Sequence, residues 1–429
     1  MKRLSDVMSA GVIAMTAGAL ALGALTTGWS GSAAAGDPIK IGIMAPFTGP
    51  AARTGEQFKD AYVMLLEDTR ASGELPVKVD GTERDIEFVW VDSESSPEKG
   101  VKAVQRAIQR DGIEILAGGW HSSVGLAVID VAMSEDIIAW AILPATVGIS
   151  NKINDNNYTR WFKGWPAVGP MAALYVDRVH DFIDKGLWSP RTMKAALASE
   201  DTDWGHDWND GVKDALEARG WEVVSVDVVK LDETEHRALL TKYKAADVSL
   251  VGFTISGAAA ASSFVKQHQE AEIGGLLLAD GPGWFPNWYE MAGDATNYAV
   301  TMDSPRVITP EQEEWAARYE ERFGYAPSAA PSGLVYDYGR MLINAMNESG
   351  TVEDKDKLAD TLLKSEYTGI WQHYAFAQTA GDKAVAHHEI KSGGFMEGFS
   401  FPMVQHIGDQ ALVVYPFEHA KAEFQAPPN

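Results

Sequence analysis

The sequence predicts an α/β fold made of two doubly wound parallel-sheet lobes. Three observations carry that expectation. Short apolar runs of strand length alternate with longer amphipathic stretches. The alternation breaks near the middle of the chain and then restarts. The chain, at 429 residues, is also too long for one ordinary hydrophobic core.

Taken in order, the chain opens with the three parts of an export signal. Lys2 and Arg3 give a basic start, Gly11–Leu25 is apolar and small, and Ala33-Ala34-Ala35 supplies a cleavage pattern. Residues 1–35 are therefore expected to be removed near Ala35, with Gly36 as the new start. The apolar run is broken by Thr and Gly and is short for a spanning helix, and no later segment is long and apolar enough to insert in a membrane. A strand at Lys40–Ala45 then enters a Pro/Thr/Gly loop, and a helix opens near Gly55-Glu56.

Ile86–Val91, Ile113–Ala117 and Ile137–Ala141 read as buried parallel strands, with helices at Pro97–Gln109 and Val124–Ser134 between them. Tyr158–Gly169 (YTRWFKGWPAVG) breaks the rhythm and is the expected first crossover. The second series has strands at Lys194–Ala198, Val223–Val229, Val248–Phe253 and Gly275–Leu278. Helices are expected at Trp208–Ala218, Glu235–Lys244, Gly257–Gln269, Pro310–Phe323 and Ser332–Asn347. The tail His406–Val414 carries Gly408-Asp409 between two apolar runs, the pattern of a hairpin.

Composition excludes several functions. Without cysteine there is no thiol catalysis, disulfide or Cys-based metal site. A net charge of −24 argues against nucleic acid or an anionic membrane as partner. The acids are scattered over helix faces such as Glu311–Glu321, which fits solubility. There is no nucleophile elbow and no phosphate-binding loop, so no enzyme is expected. A hydrolase using His121 and Ser122 is the alternative, but adjacency in sequence is not triad geometry. Neighbouring His387 and His388 would point to opposite faces of a strand, so no metal is expected.

Chemistry instead concentrates in loops that follow strands. Gly118–Ser123 (GGWHSS) follows one strand and precedes a helix, so its glycines permit close backbone approach. Ser122 and Ser123 offer hydroxyls at a positive helix end, and Ser122 also fits a simple helix cap. Arg53 and Thr54 stand before the first helix, where Arg53 suits either an anion or solvent. Thr254 follows its strand, and Asp280 follows another as either a cleft acid or a turn residue. Trp120, Trp204, Trp284 and Trp288 fall on or beside these loops, and Trp161 and Trp165 lie in the crossover. Packing is expected for Trp161 and Trp288, and a binding role for Trp120 and Trp204. Facing tryptophans beside an acid would cage an alkylammonium group or stack on a planar ligand.

Several pieces recur in one order: Ile39–Ala61, Gly118–Ser123, Leu143-Pro144-Ala145-Thr146, Asp203-Trp204-Gly205 and Ala292-Gly293-Asp294-Ala295. Together they resemble the periplasmic solute-binding proteins of branched-chain amino acid ABC transporters, of the leucine/isoleucine/valine-binding type. The resemblance implies a type I periplasmic binding protein with a three-segment hinge, crossing near 160–166, 298–304 and 370–375. It places 36–160 with 301–371 in one lobe and 161–300 with 372–429 in the other. It gives the ligand carboxylate to Ser122, Ala145 and Thr146, with Val147 as the alternative alignment for the threonine. It makes Trp204, beside Asp203, the aromatic cover, and sets Asp280 or its neighbour Gly281 where relatives pair the ligand ammonium. Thr54 departs from the family, which often has an aromatic there. The expected binding set is thus Arg53, Thr54, Trp120, His121, Ser122, Ser123, Ala145, Thr146, Asp203, Trp204, Thr254, Asp280 and Trp284. A monomer without cofactor or metal is expected, taking a small solute to an ABC permease. The solute is an amino acid by family default, or a quaternary amine, amide or aromatic acid if the tryptophans decide. A periplasmic sensor module of the same fold is the other alternative.

Overall fold

The computed structural model describes residues 36–165, 168–281, 284–285, 288–302, 309–371, 373–376 and 402–428. The export signal and His387-His388 lie outside the described residues. From the first half come β1 (Ile39–Ala45), α1 (Ala52–Ala71), a hairpin of β2 (Val77–Val79) and β3 (Thr82–Arg84), β4 (Ile86–Asp92) and α2 (Pro97–Arg106). These are followed by β5 (Ile115–Gly118), α3 (Ser122–Ser134), β6 (Ile138–Ala141), α4 (Val147–Asn156) and β7 (Trp161–Lys163). Strands β4, β1, β5, β6 and β7 pair in that order, all parallel. The central β5 and β6 are fully buried apolar runs, as strands covered on both faces must be, while the edge strand β4 carries an exposed Glu87.

The second series repeats the plan. It runs α5 (Val168–Asp184), β8 (Lys194–Glu200), α6 (Asp203–Ala218), β9 (Glu222–Val229), α7 (Arg237–Ala245), β10 (Leu250–Thr254), α8 (Ala258–Glu270), β11 (Leu276–Asp280), α9 (Trp288–Ala292) and β12 (Val300–Thr301). Three helices follow, α10 (Pro310–Phe323), α11 (Val335–Ser349) and α12 (Lys355–Lys364), and then the short pair β13 (Glu366–Thr368) and β14 (His373–Ala375). The chain ends in β15 (Met403–Ile407) and β16 (Gln410–Tyr415). The second sheet has the order β16-β15-β12-β11-β10-β8-β9. Its last two strands form the expected hairpin around Gly408-Asp409 and join the sheet antiparallel.

Helices α10 and α11 return to the first sheet. Arg322 of α10 pairs with Glu67 of α1 at 2.8 Å. Trp140 of β6 has no exposed surface and donates its indole N–H to the Tyr338 carbonyl of α11 at 3.0 Å. The Tyr338 hydroxyl in turn donates to the carbonyl of Gly164, tying α11 to the first crossover. Trp161–Lys163 pairs with β6 as the fifth strand of the first sheet, so these three residues belong with the first sheet rather than beyond a bound at residue 160, and the chain leaves that sheet within the expected 160–166 segment. Their apolar and aromatic side chains complete a sheet edge that would otherwise be bare. Trp161 is buried there, and Trp288 is buried in the second lobe, both as expected.

Candidate functional site

Both sheets reverse their strand order at one point. In the first sheet it lies between β1 and β5, and in the second between β8 and β10. At such a point the loops leaving neighbouring strands diverge and open a crevice at the carboxyl ends. The loop after β5 carries Trp120 and His121. It is tight: Gly118 has φ +89°, and a Cβ there would sit 2.5 Å from the Met44 carbonyl oxygen. Glycine alone meets both demands. From the second sheet, Glu200 ends β8 and Ser256 follows β10.

The two sets face each other across a cavity with about 380 Å3 of empty space, its open mouth included. Its walls are Trp120, His121, Leu143, Trp165 and Ala330 on one side, and Glu200, Trp204, Ser256 and Trp284 on the other. Trp120 meets Trp284 edge to face, with centroids 5.1 Å apart and planes at 90°. Trp204 meets Trp284 at 6.2 Å and 60°. The Trp204 indole N–H donates to Thr254 Oγ1 at 2.8 Å, which fixes the ring's direction.

The polar wall is a chain of neutral groups around one acid. Glu200 is 1 % exposed. It accepts hydrogen bonds from the Ser256 amide (2.6 Å), the Ser256 hydroxyl (2.7 Å) and the Thr202 hydroxyl (2.9 Å). Burial pushes its carboxyl above the usual range, and these donors offset part of the shift. His121 lies 3.4 Å from the Ser256 hydroxyl through Nε2, while its Nδ1 has no partner among the described residues. Burial lowers His121 to about 4, so the imidazole is neutral at pH 7.

The lobes are closed on one another. Ser123 Oγ accepts the Asp203 amide proton at 2.9 Å, and Asp207 accepts that of Val147 at 3.1 Å. Gln57 of α1 donates to the Trp284 carbonyl at 2.6 Å. All three bonds span the cleft, so they exist only when it is shut.

Of the expected residues, the structure brings Trp120, His121, Trp204 and Trp284 to the cavity wall. The others do not line it. Arg53 pairs with Glu56 and lies 5.3 Å over the Tyr325 ring, beside a separate surface hollow. A charged side chain at a solvated helix start finds local partners before distant ones. Thr54 is fully buried within the first turn of α1. Ser122 Oγ accepts the amides of Ala145 (3.0 Å) and Thr146 (3.2 Å), so these three bond one another. Ser123 and Asp203 form the cleft latch, and Thr254 orients Trp204. Asp280 lies behind the wall, 1 % exposed, against Tyr175 and Trp208, whose contacts fall outside good hydrogen-bond geometry. Burial raises it to about 7.

Glu200, Ser256, Trp165, Leu143 and Ala330 were not expected. Glu200 had a signal, because it stands at the carboxyl end of the second lobe's first strand, where doubly wound sheets hold ligands. Ala330 had none, since it reaches the cavity only through the return of α10 and α11.

Comparison with known proteins agrees with this architecture. The family model described as periplasmic binding protein matches residues 38–390. The Leu/Ile/Val-binding protein BraC3 of Rhizobium johnstonii is 25 % identical over 328 residues, 76 % of this chain and 83 % of that protein. A solute-binding protein of an R. palustris ABC transporter, solved with benzoate, superposes with a TM-score of 0.72 at 21 % identity, covering 91 % of this chain and 97 % of the other. LivJ of Streptococcus pneumoniae, solved with isoleucine, gives 0.69 at 15 % identity, covering 91 % and 100 %. With a cleft built from both switch points and a family match over most of its length, the chain belongs to the periplasmic binding protein family.

Proposed function

We propose that this protein is the substrate-binding component of an ABC transporter, exported to the periplasm, where it captures a small solute between its lobes. The single observation that carries this is the closed cavity, whose walls come from the carboxyl ends of both sheets. A solute there touches both lobes only when they are shut, so it favours the closed state by the energy of the second set of contacts. Ser123–Asp203 and Asp207–Val147 add to that state and to no other. The shut surface is then what a membrane permease would recognise. No step of catalysis is involved, in keeping with a family of binding proteins.

The test is a thermal-shift and small-angle scattering screen of the chain from Gly36 onward. Amino acids, aromatic acids, amides and quaternary amines form the panel. A native-state binder at 1,000 times its Kd stabilises by about 4 kcal/mol, and it should also hold the compact form. If no solute does either, the proposal fails.

A further inference from the structure

We propose that the cleft selects a compact alkylammonium cation, its charge met by Glu200 and its alkyl groups held by Trp120, Trp204 and Trp284. This rests on the cleft being the solute site, and it goes further by naming the ligand's chemistry.

The first argument is charge. Glu200 is almost wholly removed from solvent, yet its three hydrogen-bond donors are all neutral. A buried carboxylate without a counter-charge is costly. Among the described lining residues there is no lysine or arginine. The wall therefore supplies negative charge and lacks the positive group that would complete it.

The second argument is shape. A flat aromatic ligand is best held in a slot between parallel rings. Here the rings meet at 90° and 60°, which makes a corner. A corner of indole rings suits a rounded cation seated over a ring face, and tryptophan is the best of the aromatic partners for one. The three indoles and Leu143 crowd the walls, which limits the occupant to a compact group.

The third argument concerns anions. The Ser122 hydroxyl and the amides of Ala145 and Thr146 are engaged with one another and lie off the cavity wall. A neutral His121 offers one free ring nitrogen, enough for a hydroxyl on the ligand but not for a carboxylate's charge.

Isothermal titration of the chain from Gly36 with choline, tetramethylammonium, 3,3-dimethylbutan-1-ol, leucine, benzoate and acetamide tests this. The alcohol has choline's shape without its charge. Choline is expected to bind at least about 100-fold tighter than the alcohol. Glu200→Gln should shrink that ratio to below about tenfold; the ratio is insensitive to any general damage to the fold. Binding of leucine, benzoate or acetamide without either cation would overturn the cation assignment and leave the cleft intact. A ratio unchanged in Glu200→Gln would overturn the role of Glu200. Absence of binding by every solute, in a folded protein, would count against the cleft itself.

Discussion

Truncating Trp204 to alanine separates a binding wall from a folding core within one helix. Trp204 stands in the first turn of α6, half-buried, with its indole N–H held by Thr254 and its ring against Trp284. Removing it takes away one face of the cavity, worth about 1–2 kcal/mol to a desolvated cation. It also frees Trp284 to move, which removes an aromatic pair of about 1 kcal/mol. Together these predict a loss of about 2–3 kcal/mol, or roughly 30- to 150-fold in Kd. Folding should fall by only about 1–2 kcal/mol, because the ring is only partly buried and alanine keeps the helix. Trp208, one turn further along, has no exposed surface and packs against Tyr175. Trp208→Ala should cost about 3–5 kcal/mol of stability. Titration calorimetry for affinity and denaturant melts for stability measure the two effects in parallel. Unchanged affinity in Trp204→Ala, or a stability loss equal to that of Trp208→Ala, would refute the placement of Trp204 as a cavity wall.

Two further outcomes follow from the same structure. Ser123→Ala removes a hydrogen bond made only when the lobes are shut, so affinity should fall by about 1 kcal/mol, with scattering showing more open protein at sub-saturating ligand; identical scattering curves would contradict the latch. Asp280 holds its proton up to about 7 in the folded state, against 3.8 for an ordinary aspartate. The folded state thus binds the proton that the unfolded state has lost, and stability falls as pH rises between those values. Asp280→Asn should remove that fall, becoming more stable than wild type toward pH 7 by an amount on the order of 4 kcal/mol at most, and equal to it near pH 4. Melting curves across that range that keep the same slope in both proteins would show that Asp280 is not the group responsible.

The central strands were legible because a parallel sheet covered on both faces needs near-continuous apolar runs, and Leu250–Thr254 and Leu276–Asp280 have them. The loop Gly118–Ser123 announced itself through two adjacent glycines at the end of such a run. Trp120 and Trp204 were found for the same reason: a large apolar ring on a loop must be covered by something. Asp280 misled because an acid after a strand looks the same whether it faces a cleft or lies beneath one. Ser122 misled in a similar way, since a hydroxyl that caps or binds also ties two loops together.

What the sequence determined by itself was the two-lobed α/β plan and the family, through periodicities and motifs that depend only on local order. It also limited the chemistry, by having no cysteine and a strongly negative charge. The tertiary structure alone decided which acid lines the cavity. Glu200 reaches the cavity, and Asp280 does not, because the switch between β8 and β10 opens the crevice at those strands while β11 ends one strand further along. That choice depends on the order of strands in the sheet, which residue spacing along the chain does not encode.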